Sequence, residues 1–240
     1  MNILAIDTAS DLLAVGLRAG SGWAGAELDL GLKHAERLMD LIDFTLKRAG
    51  LAPADLDLIA CAGGPGSFTG LRIGMSTAKG LSLAVGRPWV SVPTLDCLAW
   101  GLEYYGGVVA PVMDGKKGRF YTAFYMKGLR ISDYLDISLA RFAALVDTYP
   151  ELLITGPDAA LFEEFATERG GVQLDRRIRL GCAPGIAALG REKFESSGAS
   201  PNDEGPLYLR PSEAEEAAAA AESAGKGRTG DTAPGPAASI

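Results

Sequence analysis

Residues 62–74 run Ala-Gly-Gly-Pro-Gly-Ser-Phe-Thr-Gly-Leu-Arg-Ile-Gly and join an apolar run at 56–62 to a helix-like run at 71–85. A strand, a tight glycine loop and a helix in that order aim the helix's unpaired N–H groups, and the positive end of its dipole, at the loop. Such a place can hold an anion. It can equally seat a close protein contact, because glycine has no Cβ. Spacing tests two phosphate loops. Walker A needs a lysine directly after its last glycine, but the next lysine is Lys79, two turns into the helix. The dinucleotide pattern Gly-x-Gly-x-x-Gly is met by Gly64 and Gly66, then fails at Thr69, with Gly70 one residue late. A plain strand-to-helix turn with Ser67 or Thr69 as N-cap also fits these residues.

The other chemistry-bearing residues are few. His34 is the one histidine, so a two-histidine metal site within the chain is excluded and a Ser-His-Asp triad would have to use it. Cys61, Cys97 and Cys182 include no Cys-x-x-Cys pair and suit reduced, buried thiols of a cytosolic protein. The net charge is −7, and basic residues are sparse, with Lys116-Lys117-Gly118-Arg119 standing out as a basic cluster. A protein that grips RNA phosphates alone usually carries a basic face, so any RNA contact is expected to rest mainly on another subunit. The N-terminal run meets Asp7 without a basic flank, which fits neither a signal peptide nor a membrane span.

The elements that position these residues follow from apolar periodicity. With 240 residues and 48% hydrophobic content the chain has room for one large or two small packed domains. Short strands are expected at 2–7, 12–18 and 22–28, then a helix at 33–49. Strand 56–62, helix 71–85, strand 89–92 and helix 95–104 continue as βαβα units. A similar order follows: strands 108–113, 120–126 and 130–137, helix 139–148, strand 152–155, and helices 159–168 and 186–196. The repetition predicts a duplicated α/β fold with mixed sheets flanked by helices. Its halves are 1–104 and a smaller 105–212, with a C-terminal helix able to cross back onto the first. Residues 213–240 are low in large apolar groups and read as a disordered tail, with a frayed helix at 217–221.

Two helices of the first half carry distinct patterns. In 33–49, Ala35, Leu38, Met39, Leu41, Ile42, Leu46 and Ala49 fall on one arc, and Phe44 lies off it near Arg37, Asp40 and Arg48. In 71–85, Leu71, Met75, Ala78, Leu81 and Val85 make one face, while Ile73, Ser76, Gly80 and Ala84 make a small-residue face. A helix with so little polar surface should be covered on nearly all sides. The cover is either the rest of its own domain or a second chain.

These motifs together resemble the TsaB family. The resemblance rests on Ile3-Leu-Ala-Ile-Asp-Thr-Ala-Ser10, His34-Ala-Glu36, Gly64-Pro-Gly-Ser-Phe-Thr-Gly-Leu-Arg-Ile-Gly74, Ala78-Lys-Gly-Leu81, Val92-Pro-Thr-Leu95, Asp114-Gly-Lys-Lys-Gly-Arg-Phe-Tyr121 and Pro206-Leu-Tyr-Leu-Arg210, in order over 2–211. It implies the duplicated actin/Hsp70-like (ASKHA, ribonuclease H-like) fold. It further implies a non-catalytic subunit of the machinery that makes N6-threonylcarbamoyladenosine at tRNA position 37. That subunit pairs with its paralogue TsaD, which carries the metal and the transfer chemistry, and is joined by the ATPase TsaE.

The first-half helices would then form the partner surface, with Met39, Phe44, Ile73, Ser76, Gly80, Leu83 and Ala84 as contacts. No catalytic or metal-binding residue is expected, and no cofactor of this chain's own. ATP and magnesium would act at the level of the complex, tRNA would be reached only through it, and a homodimer could form when the chain is alone. The location expected is cytoplasmic, away from membranes. Two departures stand out. Ala35 replaces the family's usual Ser and is expected to loosen the first turn by ~1 kcal/mol. Lys116 stands where Arg is common, a point charge instead of a fork.

Two other readings compete. An actin-like ATPase or kinase would hold metal and phosphate at Asp7 and Thr8, beside Gly64, Gly66, Ser67, Thr69 and Arg72. A peptidase would need a metal-bound water or an activated nucleophile, and a single histidine speaks against the two-histidine motif of TsaD.

Overall fold

The computed structural model describes residues 1–29, 31, 33–176 and 181–211; the expected tail 213–240, with its helix at 217–221, lies outside them. The chain opens as an antiparallel meander of β1 (Asn2–Asp7), β2 (Leu13–Ala19) and β3 (Gly22–Leu28). A crossover through α1 (His34–Ala49) sets β4 (Leu58–Ala62) parallel to β1. A second crossover through α2 (Phe68–Val85) sets β5 (Trp89–Val92) parallel to β4. The order across this sheet is β3-β2-β1-β4-β5. β1 is buried on both faces, which is why it reads as an unbroken apolar run. Leu4 and Ile6 pack with α1 and α2, and Ile3 and Ala5 pack into the opposite layer.

Helix ends follow local chemistry. α1 stops at Gly50, whose left-handed φ of 68° lets its N–H reach the carbonyls of Leu46 and Lys47. Its N-cap is Lys33, without a side-chain cap bond, so Ala35 lies inside the first turn and the loss of a cap expected there does not arise. The buried stripe of α1 is His34, Leu38, Leu41, Ile42, Thr45 and Leu46. This is narrower than the apolar arc: Ala35 and Met39 point outward because the sheet covers only one side. α2 begins at Phe68, three residues earlier than expected, because Ser67 Oγ accepts the Gly70 N–H and opens the helix there.

α3 (Thr94–Ala99) is shorter than the helix expected to 104, since Trp100 is extended and Gly101 takes φ 81°. The second sheet is built on β6 (Val108–Asp114), with β7 (Arg119–Thr122), β8 (Tyr125–Met126), β9 (Leu129–Arg130), β10 (Leu135–Ser138), β11 (Leu152–Thr155) and β12 (Val172–Leu174). The strands expected at 120–126 and 130–137 each break in two. The Phe124 N–H donates to Ser132 Oγ and its carbonyl accepts the Ile131 N–H, so the chain changes partners there. β7 then pairs with β6 and β10, and β8 with β6 and β9. α4 (Leu139–Val146) and α5 (Glu163–Glu168) flank this sheet, and a 3-10 turn at Ala159–Phe162 replaces the first part of the helix expected at 159–168.

Alternation along β6 feeds two cores. Val108, Ala110 and Val112 pack with Phe142 and Phe162, while Val109 and Met113 join Ile3, Ala5, Leu95 and Ile186. Ile186 belongs to α6 (Ala183–Ser197), which follows the second sheet in sequence but packs on the first. Gly190 makes that approach possible: a Cβ there would meet the Ala60 Cβ at 2.8 Å. Met1–Leu209 thus form one compact unit.

Candidate functional site

The glycine loop is clamped onto the turn that follows β1. Ser67 N–H donates to the Ala9 carbonyl at 2.7 Å, and Thr8 Oγ1 donates to the Gly70 carbonyl at 2.8 Å. A Cβ on Gly66 would stand 2.4 Å from the Ala9 carbonyl oxygen, and one on Gly70 2.0 Å from that of Thr8. On the loop's other side, Gly64 (φ 105°) runs close to the Leu207 carbonyl, and Gly63 exchanges bonds with Val92 and Leu207. These glycines are spent on backbone contacts within the chain. Thr69 is exposed. Arg72 is exposed too, lying 3.9 Å over the Phe68 ring and donating from Nε to the Tyr208 hydroxyl at 3.1 Å.

Asp7, the residue an actin-like enzyme would use, is buried and held by protein donors. Its Oδ1 accepts the Ala9 N–H at 3.0 Å, and its Oδ2 accepts the Cys182 N–H at 2.9 Å and the Cys182 thiol at 3.1 Å. The hydrogen bond with Cys97, followed by burial, pushes the Cys182 thiol well up, and burial raises Cys97, so both stay protonated. The adjoining Gly181 N–H donates to Glu27, whose carboxyl is raised chiefly by burial. The cavity left beside Asp7, Ser10, Thr94 and Cys182 is about 10 Å³, room for about one water. His34 is buried with Nε2 on the Ser10 carbonyl at 2.7 Å, pinning α1 to the same turn. Among the described residues no group of three or more His, Cys, Asp or Glu is placed to hold a metal.

The outer face of α1 and α2 is different in kind. Leu83 is 77% exposed, Met39 52% and Phe44 47%, and Ser76, Gly80 and Ala84 are exposed beside them. A Cβ added at Gly80 would meet nothing within 4 Å, so the small face of α2 is not packed against this chain. Ile73 is half-buried and joins the core under the helices. Arg48 lies over the Phe44 ring at 5.2 Å. Each residue expected at the partner surface except Ile73 is thus solvent-facing, whereas Asp7, Thr8, Gly64, Gly66 and Ser67 are drawn into one internal network.

Sequence reasoning did not anticipate Cys182, Gly181, Glu27 or the Ser10 carbonyl as the partners of Asp7 and His34. Cys182 is 175 residues from Asp7, and no local pattern signals the pairing. At the β6–β7 hairpin, Lys116 turns back on its own Asp114 at 3.0 Å, and that hydrogen bond raises the lysine's pKa. Lys116 and Lys117 both sit at positive φ there. No helix among the described residues is long and apolar enough to cross a membrane.

The family model described as TsaD, tRNA N6-adenosine threonylcarbamoyltransferase, matches residues 30–174. The tRNA threonylcarbamoyladenosine biosynthesis protein TsaB of Bacillus subtilis is 29% identical over 231 residues, covering 90% of this chain and 96% of that one. The protein of the same description from Escherichia coli is 35% identical over 130 residues, 53% and 56% of the two chains. The solved structure of YeaZ from Pseudomonas aeruginosa superposes with a TM-score of 0.71 at 24% identity, covering 87% of this chain and 99% of that one. The fold is the duplicated actin-like one. With the family model spanning more than half of its length, the chain belongs to the TsaD-type threonylcarbamoyltransferase family, among its TsaB-like members.

Proposed function

We propose that this chain is the non-catalytic partner subunit of the tRNA N6-threonylcarbamoyladenosine transfer machinery, pairing through the outer face of α1 and α2 with a TsaD-type transferase. The observation that carries the proposal is the α2 face of Ser76, Gly80, Leu83 and Ala84, uncovered by its own domain although most of that helix is apolar. Small residues let a second helix approach closely, and Leu83, Met39 and Phe44 supply apolar area around them. Pairing of like faces would also allow a homodimer when the chain is alone.

The interior supports a structural role for this subunit. A nucleotide needs a pocket of several hundred Å³, against about 10 Å³ beside Asp7. The Asp7 carboxylate is engaged by Cys182 and Ala9. In this reading ATP and magnesium belong to the complex, which includes the ATPase TsaE, and this chain needs no cofactor of its own. The net charge of −7 fits tRNA being held by other subunits, in the cytoplasm.

The test is co-purification with the TsaD-type transferase of the same cell, paired with mass spectrometry of tRNA nucleosides after deletion of this chain. The expected result is a stoichiometric complex and loss of the modified adenosine. Turnover of a substrate by the isolated chain, or an unchanged nucleoside profile, would overturn the proposal.

A further inference from the structure

On the side of the first sheet opposite α1 and α2 lies an open groove of about 560 Å³. It runs between the turn after α3, the β8–β9 hairpin and the outer side of α6. Its floor is fixed by a closed polar cluster. Asp96 accepts the Tyr125 hydroxyl at 2.5 Å and the Tyr134 hydroxyl at 2.8 Å, and Arg130 lies 4.2 Å over the Tyr134 ring. Trp100, Leu189 and Leu129, the last 73% exposed, make an apolar wall.

The charges are unevenly matched. Arg130 lies 3.9 Å from Asp96, and Lys193 lies 3.4 Å from Glu204. Glu103 and Glu192 also line the groove; Glu103 accepts the Gly101 N–H at 3.0 Å, and among the described residues neither carboxylate forms an ion pair. The hairpin adds an open edge. Its turn, Lys127–Gly128, has positive φ at both residues, and among the described residues β9 pairs only with β8. Arg130 stands opposite Tyr125, one step from the Met126–Leu129 closing pair, so by antiparallel alternation its own N–H and carbonyl face away from β8.

We propose that this groove binds an extended, basic peptide segment of a partner protein. The segment adds to the β9 edge through its backbone, sets an apolar side chain against Trp100 and Leu129, and places lysine or arginine beside Glu103 and Glu192. Cationic side chains supply the opposite charge that these two carboxylates lack among the described residues and can also stack on Trp100. Because the groove is on the other side of the sheet from α2, the segment binds together with the α2 partner.

The test is calorimetric titration of the full chain with acetyl-Lys-Val-Leu-Val-Lys-amide, with its Glu-for-Lys counterpart, and with spermine. The basic peptide is expected to bind, the acidic one not, and spermine at least about tenfold more weakly than the basic peptide. Glu192→Lys is expected to weaken the basic peptide about tenfold, and Leu129→Asp by more. Both positions are exposed, and melting curves matching the parent establish that the variants fold. Leu83→Asp, on the far side, should leave peptide binding unchanged, which separates this proposal from the pairing proposed for α2. The proposal is overturned by equal binding of the acidic peptide or spermine, or by absence of heat with the basic peptide. It is overturned equally by insensitivity to both groove substitutions, or by loss of binding in Leu83→Asp.

Discussion

Replacing Gly80 with leucine separates the two possible covers of α2. Gly80 lies in the helix interior, exposed, and a Cβ there touches nothing within 4 Å. Glycine in a helix interior costs about 0.8–1 kcal/mol relative to alanine, and leucine is nearly as good a helix former as alanine. For the isolated chain Gly80→Leu is therefore expected to be stabilising by up to about 1 kcal/mol, a rise of about 2–4 °C in melting temperature for a domain of this size. At a close helix–helix contact the same side chain is an overpacking change, costing about 1–3 kcal/mol. That corresponds to pairing about 5- to 150-fold weaker.

Melting of the isolated chain is measured across protein concentrations, because self-association would itself raise the transition. Pairing with the TsaD-type subunit is measured by calorimetry. Gly70→Ala is the contrast: its Cβ would stand 2.0 Å from the Thr8 carbonyl oxygen, so that variant must distort or unfold. A Gly80→Leu chain that melts several degrees low, or one that pairs as tightly as the parent, would refute the assignment of this face to a partner.

Two further outcomes follow from the interior. Asp7→Ala leaves the Cys182 and Ala9 donors without their acceptor and should cost about 2–3 kcal/mol in urea unfolding; an unchanged midpoint would show that the carboxylate is not a structural tie. For Glu204, burial alone would raise the carboxyl, but hydrogen bonds from Ser200 and Ser91 and the Lys193 charge outweigh it and hold the carboxyl below its ordinary value. A depressed carboxyl contributes stability above the unfolded pKa and loses it as pH falls through the folded one. The deficit of Glu204→Gln in melting temperature should therefore be full at neutral pH and shrink on acidification below the ordinary glutamate range. A deficit that grows on acidification would reverse the sign of the argument.

Much of the frame is legible in the residues alone because local rules set it. The two-face burial of β1 demands an unbroken apolar run. Ser67 and Thr69 are both local N-cap candidates for the helix that follows, and Ser67 is the one used. Leu71, Met75 and Ala78 share a face by helical period, so their burial follows from the sequence. Other features have no such signature. The strand at 120–126 breaks because Phe124 finds Ser132 and Ile131 across a hairpin, and β12 shows itself only by pairing with β11. Met39 fits the apolar arc of α1 yet faces solvent, since the width of the covered stripe is set by the sheet beneath it.

The glycine loop marks the boundary between the two kinds of information. Its composition alone requires a tight turn before a helix, and it rules out the Walker and dinucleotide spacings. The composition leaves open whether the absent Cβ atoms make room for a phosphate or for protein. Only the tertiary structure decides that, by bringing the backbone of Thr8 and Ala9 against Gly66 and Gly70 and setting Cys182 on Asp7 from 175 residues away. The physical reason is range: turn and helix propensities act over a few residues, whereas the partner of a buried carboxylate is chosen by how distant segments pack.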